Sequence, residues 1–233
     1  MTLRSSAAAG VGLLLAAAAL PAQLLDEGFE DVSALTAAGW VLVNHSQPLG
    51  TTGWFQGNDE GFVFAAQAGS NDSFLAANYQ NAAFVGTISN WALTPVVPLV
   101  EGDALRFLTR TVDDPADFPD RLQVRMSLAG PSSDVGATAS DTGDFATLLL
   151  TVNAALTSVG YPAVWAEYQA TVPALPKSGA MGRFAFRYYV TSSGPDGVNG
   201  DYIGIDSIAY DSGGVYFDDF ESGGFAGWSQ AAF

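Results

Sequence analysis

Apolar and polar residues alternate in several stretches of the chain, with the period of two that is typical of a β-strand with one buried face. Residues 121–128 give the clearest case, and their apolar positions are Leu122, Val124, Met126 and Leu128. Residues 183–190 and 164–172 alternate in the same way. We therefore predict that each of these three stretches is a half-buried strand.

Shorter apolar runs add further strand candidates. These are residues 40–44, 73–78, 91–97, 104–111 and 201–210. Gly, Pro, Asp and Ser separate the candidates, and these residues favour tight turns. Because many short strands occur without a sustained helical period, the pattern predicts an all-β antiparallel sandwich. Residues 145–156 fit a helix or a buried strand, and periodicity does not choose between the two.

The composition supports a folded chain and excludes several classes of function. Of the 233 residues, 48% are hydrophobic and 14% are charged, so enough apolar surface is present to build a core. The 24 acidic and 8 basic residues give a net charge of −16. Nucleic acid is not expected as a partner, because phosphate binding needs a basic surface. With no cysteine and His45 as the one histidine, the sequence excludes disulfides, thiolate zinc sites and multi-histidine metal sites.

The first residues are typical of a secretory signal peptide. Arg4 supplies a positive charge ahead of the apolar run 7–20, which is too short to span a bilayer comfortably. We predict a signal peptide over 1–22, one domain over 23–210, and an acidic tail rich in Gly and aromatic residues over 211–233. No later stretch reaches the roughly 18 apolar residues of a membrane helix, so the processed chain is expected to be exported without a transmembrane segment.

Short motifs follow one another in a characteristic order along the predicted domain. In the first half they are Phe29-Glu30, Gly39-Trp40, Gly53-Trp54 and Asn90-Trp91-Ala92-Leu93-Thr94-Pro95. In the second half they include Arg121-Leu122-Gln123-Val124-Arg125-Met126-Ser127, Gly143-Asp144-Phe145, Phe184-Ala185-Phe186-Arg187-Tyr188 and Asp201-Tyr202-Ile203-Gly204-Ile205-Asp206-Ser207-Ile208. This order resembles the choice-of-anchor J domain, which is related to the cleaved-adhesin domains of gingipain-type proteases. The resemblance implies a jelly-roll β-sandwich in an exported bacterial protein, and it implies no single ligand.

Carboxylates near both ends of the predicted domain are candidate calcium ligands, because Ca²⁺ takes about six to eight oxygen ligands. The resemblance implies structural calcium and points to Glu30 and Asp206, with Asp31 and Asp201 as weaker neighbours. Asp206 lies in an apolar strand, where an ionised carboxylate is costly unless it is paired or bound to a metal. Arginine or backbone amides as partners of this carboxylate remain the alternative.

Arginine pairs spaced by four residues occur in three of the predicted strands. The pairs are Arg106 with Arg110, Arg121 with Arg125, and Arg183 with Arg187. Each pair projects from one face of its strand. If the strands are neighbours, the arginines form a basic stripe suited to an anionic ligand, and the candidate ligand-binding residues are Arg121, Arg125, Arg183 and Arg187. The alternative is cross-strand pairing with acids such as Glu167 and Asp144.

Aromatic residues give a second set of candidate ligand contacts. Trp54 and Tyr79 are flanked by Gly and Asn, so we expect them to be exposed and able to stack on sugar rings. The other tryptophans are expected in the core or at turns.

No catalytic constellation emerges from the sequence. The triplets Asp141-Thr142-Gly143 and Asp211-Ser212-Gly213 are similar to aspartic-protease signatures, but the chain is too short for two protease lobes. We predict a secreted or cell-surface, non-catalytic adhesion or binding domain, stabilised by calcium, whose partner is an extracellular glycan or a surface protein. The alternative is a carbohydrate-binding module associated with polysaccharide degradation.

Overall fold

The computed structural model of the protein describes residues 22–59, 61–113, 118–176 and 179–212. Residues 1–21 of the predicted signal peptide and residues 213–233 of the predicted tail lie outside the described residues. The first described strand begins at Ala22 and the last one ends at Ser212. The last strand therefore continues two residues beyond the predicted end of the domain.

Strands account for most of the regular structure, and the described residues contain no α-helix. The strands are β1 Ala22–Glu27, β2 Val41–Asn44, β3 Gln47–Leu49, β4 Phe55–Gln56, β5 Leu75–Asn78, β6 Ala82–Leu93, β7 Val97–Leu99, β8 Ala104–Thr111, β9 Leu122–Ser127, β10 Thr147–Val152, β11 Ala166–Thr171, β12 Ala180–Ser193 and β13 Tyr202–Ser212. Short 3₁₀ turns occur at Val32–Ala34 and Tyr79–Asn81. In the part of the chain that the structure covers, no helix has the length and apolar character needed to cross a membrane.

The strands form two antiparallel sheets, which confirms the predicted β-sandwich. One sheet has the order β11-β8-β13-β5-β4, and β1 also pairs with β13. The other has the order β10-β9-β12-β6-β2, with β3 added to β6 and β7 added to β12. Strand β10 settles the open question over residues 145–156 in favour of a strand.

The main core lies between the two sheets. Strand β12 contributes the alternating residues Phe184, Phe186 and Tyr188, none of which has exposed surface. Their rings meet aromatic residues of the facing sheet, with centroids 5.1 Å apart for Phe186 and Phe107, and 4.9 Å apart for Phe184 and Tyr210. Each fully buried side chain of this size contributes about 1.5–3 kcal/mol, so these contacts hold the sheets together.

A second, smaller core covers the outer face of the seven-stranded sheet. Val135 and Phe145, from the connection between β9 and β10, pack over Trp91 of β6. The rings of Trp91 and Phe145 are 6.0 Å apart. Because this connection covers the sheet, Ala185 and Arg187 of β12 are buried as well. The prediction that residues 183–190 form a strand with only one buried face is therefore wrong.

Strand β6 is longer than the sequence indicated and contains a bulge. The predicted strand 91–97 divides into the end of β6 and the start of β7. Near the start of β6, Leu49 of β3 pairs with Ala82 and Gln47 pairs with Thr87, so two residue steps on β3 lie opposite five on β6. Such bulges re-aim side chains. In this one, Phe84 has a φ of 52° and is 71% exposed.

Candidate functional site

Three adjoining pockets form a cleft at one end of the sandwich, among the loops that follow β5, β8, β10 and β12. Their volumes are about 90 Å³, 290 Å³ and 390 Å³. The first and second pockets share Phe118 and Asp201, and the second and third share Pro195. The shared residues make the pockets one continuous surface, which we call the loop-end cleft.

Aromatic rings and hydrogen-bonding side chains line the loop-end cleft together. Tyr79 and Phe118 border the middle pocket, and Phe84 borders the outer one beside Thr51 and Gln80. Phe84 and Phe118 are exposed, and Tyr79 is half-buried. Ligand sites in proteins typically combine apolar walls with a few polar groups that fix orientation, and the cleft has this composition.

The backbone of Phe84 is held by contacts with the loop that follows β12. The Phe84 carbonyl accepts a hydrogen bond from the Asp196 N–H at 3.2 Å. Gly194 approaches the same carbonyl so closely that a methyl group built onto it would lie 2.2 Å from the oxygen. Gly194 also has a φ of 105°, a conformation that other residues rarely adopt. The bulge and the 194–201 loop therefore fix each other.

A buried carboxylate, Asp120, supports the inner pocket. Asp120 is 1% exposed. Its Oδ2 accepts from the Thr111 hydroxyl at 2.5 Å, and its Oδ1 accepts from the Tyr188 hydroxyl at 2.5 Å and from the Asp201 N–H at 2.9 Å. Burial raises the pKa of Asp120 above its ordinary value, although the three donors oppose the shift. Since its partners come from β8, β12 and the start of β13, Asp120 joins both sheets beneath the cleft.

The four predicted calcium ligands lie in three different surroundings. Asp206 is fully buried, and its Oδ2 accepts from the backbone N–H groups of Gln67 at 2.8 Å and Ala68 at 3.2 Å. Glu30 is exposed next to the same loop, where a methyl group built onto Gly69 would lie 3.9 Å from Glu30 Oε1. The structure thus brings Glu30 and Asp206 towards one loop.

Asp31 and Asp201 lie in other local environments. Asp31 caps the first 3₁₀ turn by accepting from the Ser33 N–H at 3.0 Å. Asp201 precedes β13 and borders the loop-end cleft. Among the described residues, no three side chains of His, Cys, Asp or Glu come close enough together to hold a metal ion. The carboxylate of Asp206 is bound by backbone amides, as the alternative to a metal ion predicted.

The predicted arginine stripe is wrong as a single feature, because the two sheets divide it. Arg106 and Arg110 belong to β8 of the six-stranded sheet, whereas the other four arginines lie on or beside β9 and β12 of the seven-stranded sheet. Arg106 pairs with Asp211 at 3.5 Å, which is the one ion pair among the described residues. For Arg106 the alternative, cross-strand pairing with an acid, is therefore confirmed, although the acid is Asp211 of the neighbouring strand β13 and not Glu167 or Asp144.

The remaining arginines bind mainly backbone oxygens and aromatic rings. Arg183 is buried, and its Nη1 donates to the carbonyls of Gly39 at 2.9 Å and Thr94 at 2.5 Å. These contacts make Arg183 a structural link, and the residue is 8% exposed, which leaves little surface for a ligand. Arg121, Arg125 and Arg187 lie on the outer face of the seven-stranded sheet.

The prediction that Trp54 is exposed is wrong. Trp54 is 8% exposed and packs in the main core, because β4 joins the six-stranded sheet immediately after it. Phe84 and Asp120 border the candidate site but were not found by sequence reasoning. Phe84 occurs in an apolar run that is typical of a core strand, and Asp120 is one of 24 acidic residues with no motif around it.

Three solved structures are similar to this chain over most of their length. The K3 cleaved adhesin domain of Lys-gingipain from Porphyromonas gingivalis w83 has a TM-score of 0.54 and 20% identity, covering 82% of this chain and 99% of that chain. The K1 domain from the W83 strain has a TM-score of 0.52 and 20% identity, covering 82% and 98%. The K2 domain of Lys-gingipain has a TM-score of 0.53 and 18% identity, covering 81% and 98%.

No family model and no curated protein sequence matches the chain. The choice-of-anchor J resemblance thus stays a prediction, whereas the relation of the fold to cleaved adhesins has structural support. In fold, the chain is similar to the cleaved adhesin domains of Lys-gingipain.

Proposed function

We propose that this chain is a secreted or cell-surface, non-catalytic adhesion or binding domain that holds an extracellular glycan in its loop-end cleft. The observation that carries the proposal is Phe84, a bulky residue with positive φ and 71% exposure. A conformation of this kind costs of order 1–3 kcal/mol, and an exposed ring recovers little of that cost through burial. Ligand binding gives this residue a role that folding does not.

The chemistry around Phe84 suits a neutral sugar. An aromatic ring offers an apolar face of the kind that packs against the C–H face of a sugar, and amide, hydroxyl and carboxylate groups hydrogen-bond to sugar hydroxyls. Gln80, Thr51 and Asp196 supply such groups beside Phe84. Tyr79 and Phe118 provide further rings in the adjoining pocket, so the cleft accommodates more than one sugar unit.

A glycan array probed with the full chain tests this proposal, and Phe84→Ala is the decisive variant. We expect loss of the ring to weaken binding to the best neutral glycan at least tenfold, which corresponds to about 1.4 kcal/mol. Phe62→Ala is the matched control, because Phe62 is also 71% exposed but does not line the cleft. Equal binding by the wild-type chain and Phe84→Ala would refute the assignment of the cleft, provided that both have the same melting temperature.

Calcium is the proposed structural cofactor, with Glu30 and Asp206 as its carboxylate ligands. Their approach to the same loop supports this assignment. Bound there, a cation would link the end of β1 to β13 and offset the charge of a buried carboxylate. Running the glycan array with and without calcium separates this structural role from sugar binding.

A further inference from the structure

Three arginines gather on the outer face of the seven-stranded sheet, around Tyr189 and Gln123. Arg187 lies directly opposite Gln123 in the pairing of β12 with β9. Arg121 and Arg125 lie two residues before and after Gln123, on the same side of the strand. We call Arg121, Arg125 and Arg187, with Tyr189 and Gln123, the arginine face. None of these residues borders the loop-end cleft.

Stacking on aromatic rings orders the arginine face. The Arg187 guanidinium carbon lies 3.9 Å from the ring centroid of Tyr189 and 4.6 Å from that of Trp91. The Arg121 guanidinium carbon lies 4.8 Å from the centroid of Tyr189. Arg187 is 1% exposed and also donates to Ser89 Oγ at 3.0 Å and to the Ala139 carbonyl. The aromatic rings and buried hydrogen bonds therefore hold the guanidinium groups of Arg187 and Arg121 in place before any ligand binds.

In the described part of the chain, the positive charges of the arginine face have no carboxylate in ion-pair contact. Among the described residues, none of the three arginines forms an ion pair. Asp141 is the acid that faces Arg187, and its carboxylate is held by the N–H groups of Thr138 at 2.8 Å and Ala137 at 3.1 Å. Burial, with repulsion from Arg125 and Arg121, lowers the pKa of Arg187 to about 10, so Arg187 stays charged at neutral pH.

Arg121 and Arg125 retain N–H donors that face solvent. Both side chains are half-buried. Arg121 donates through Nε to the Tyr189 carbonyl at 2.8 Å, and no described residue accepts from its two terminal nitrogens. Arg125 donates through Nε to Gln123 and through Nη1 to the carbonyls of Phe145 and Ala146. No residue that the structure describes accepts from its Nη2, which leaves this nitrogen for an external acceptor.

We infer that the arginine face binds an anionic polysaccharide, whose carboxylate or sulfate groups pair with Arg121 and Arg125. Guanidinium groups match the geometry of such oxyanions, and aromatic stacking reduces the entropy lost on binding. The two arginines are four strand residues apart, which is about 13 Å between their Cα atoms. Two arginines at separate positions along the strand suit a polymer with repeated negative groups, because one chain can pair with both.

Affinity measurements with the full chain and three polymers test the inference. The probes are polygalacturonate, dextran sulfate and uncharged dextran, in about 0.15 M salt, where charges farther away than about 8 Å are largely screened. We expect binding to at least one polyanion and none to uncharged dextran. The preferred polyanion identifies the oxyanion as carboxylate or sulfate.

The decisive variant is Arg121→Gln/Arg125→Gln, which is expected to lose at least tenfold in affinity. Arg106→Gln/Arg110→Gln is the matched control, because it removes two charges with the same spacing from the other sheet, and it should stay within twofold of the wild-type chain. Arg121→Lys/Arg125→Lys keeps the charge and should bind with intermediate affinity.

Two outcomes would overturn the inference. One is no binding of the wild-type chain to either polyanion, and this result does not depend on how any variant folds. The other is an equal loss in the two glutamine variants, which would show that only net charge matters. Phe84→Ala should retain full polyanion binding, so failure of the loop-end cleft and failure of the arginine face can be told apart.

Discussion

Removing the Tyr188 hydroxyl tests the buried network that supports the loop-end cleft. Tyr188 is fully buried and donates to Asp120 Oδ1 at 2.5 Å. In Tyr188→Phe the ring still fills the core, so no cavity forms, while Oδ1 keeps only the Asp201 N–H as its donor. A hydrogen bond to a charged group contributes about 1.5–3 kcal/mol. We therefore expect Tyr188→Phe to lower the free energy of unfolding by about 2 kcal/mol at neutral pH.

Urea titration measures this loss, and a melting curve gives a second reading. For a chain of this size, about 2 kcal/mol corresponds to a drop of roughly 4–8 °C in Tm. Tyr168→Phe is the control, because Tyr168 stacks on Phe107 and its hydroxyl has no hydrogen-bond partner among the described residues. In an Asp120→Asn background the loss should shrink by more than about 1 kcal/mol, since the charge is gone. The reasoning is refuted if Tyr188→Phe costs no more than Tyr168→Phe.

Three further predictions concern pH, calcium and backbone conformation. Because burial raises the folded-state pKa of Asp120, its contribution to stability is complete below the unfolded-state pKa and is lost as pH rises through the folded-state value. Urea titrations should show stability rising as the pH falls through the folded-state pKa of Asp120 towards its unfolded-state value, with a smaller rise in Asp120→Asn; an identical rise would contradict the assignment. If Glu30 and Asp206 hold calcium, a chelator lowers the Tm of the wild-type chain but not that of Glu30→Gln, and an unchanged wild-type Tm rules the site out. Gly194→Ala should lower Tm more than Gly102→Ala. A methyl group at position 194 would lie 2.2 Å from a backbone carbonyl oxygen, whereas one at position 102 would meet nothing within 4 Å. Equal losses of Tm would show that the positive φ of both glycines alone sets the cost.

The sequence by itself determined the β-sandwich and much of its main core. Alternation in residues 121–128 and 183–190 identified side chains that face the other sheet, such as Val124 and Phe186. This information is local, because a strand places successive residues on opposite faces whatever its neighbours are. The order of motifs also indicated the similarity in fold to cleaved adhesin domains.

Only the tertiary structure decided what covers each face and which residues meet at the candidate sites. Arg187 is buried because the carbonyl of Ala139, 48 residues away, and the β9–β10 connection lie over it. Asp120 meets Tyr188 across 68 residues, and nothing in the pattern around either residue marks the contact. Phe84 follows the apolar pattern of a core strand, yet a bulge turns it into solvent. A sequence pattern reports the two faces of one strand, whereas burial and binding depend on distant segments that only the folded chain brings together.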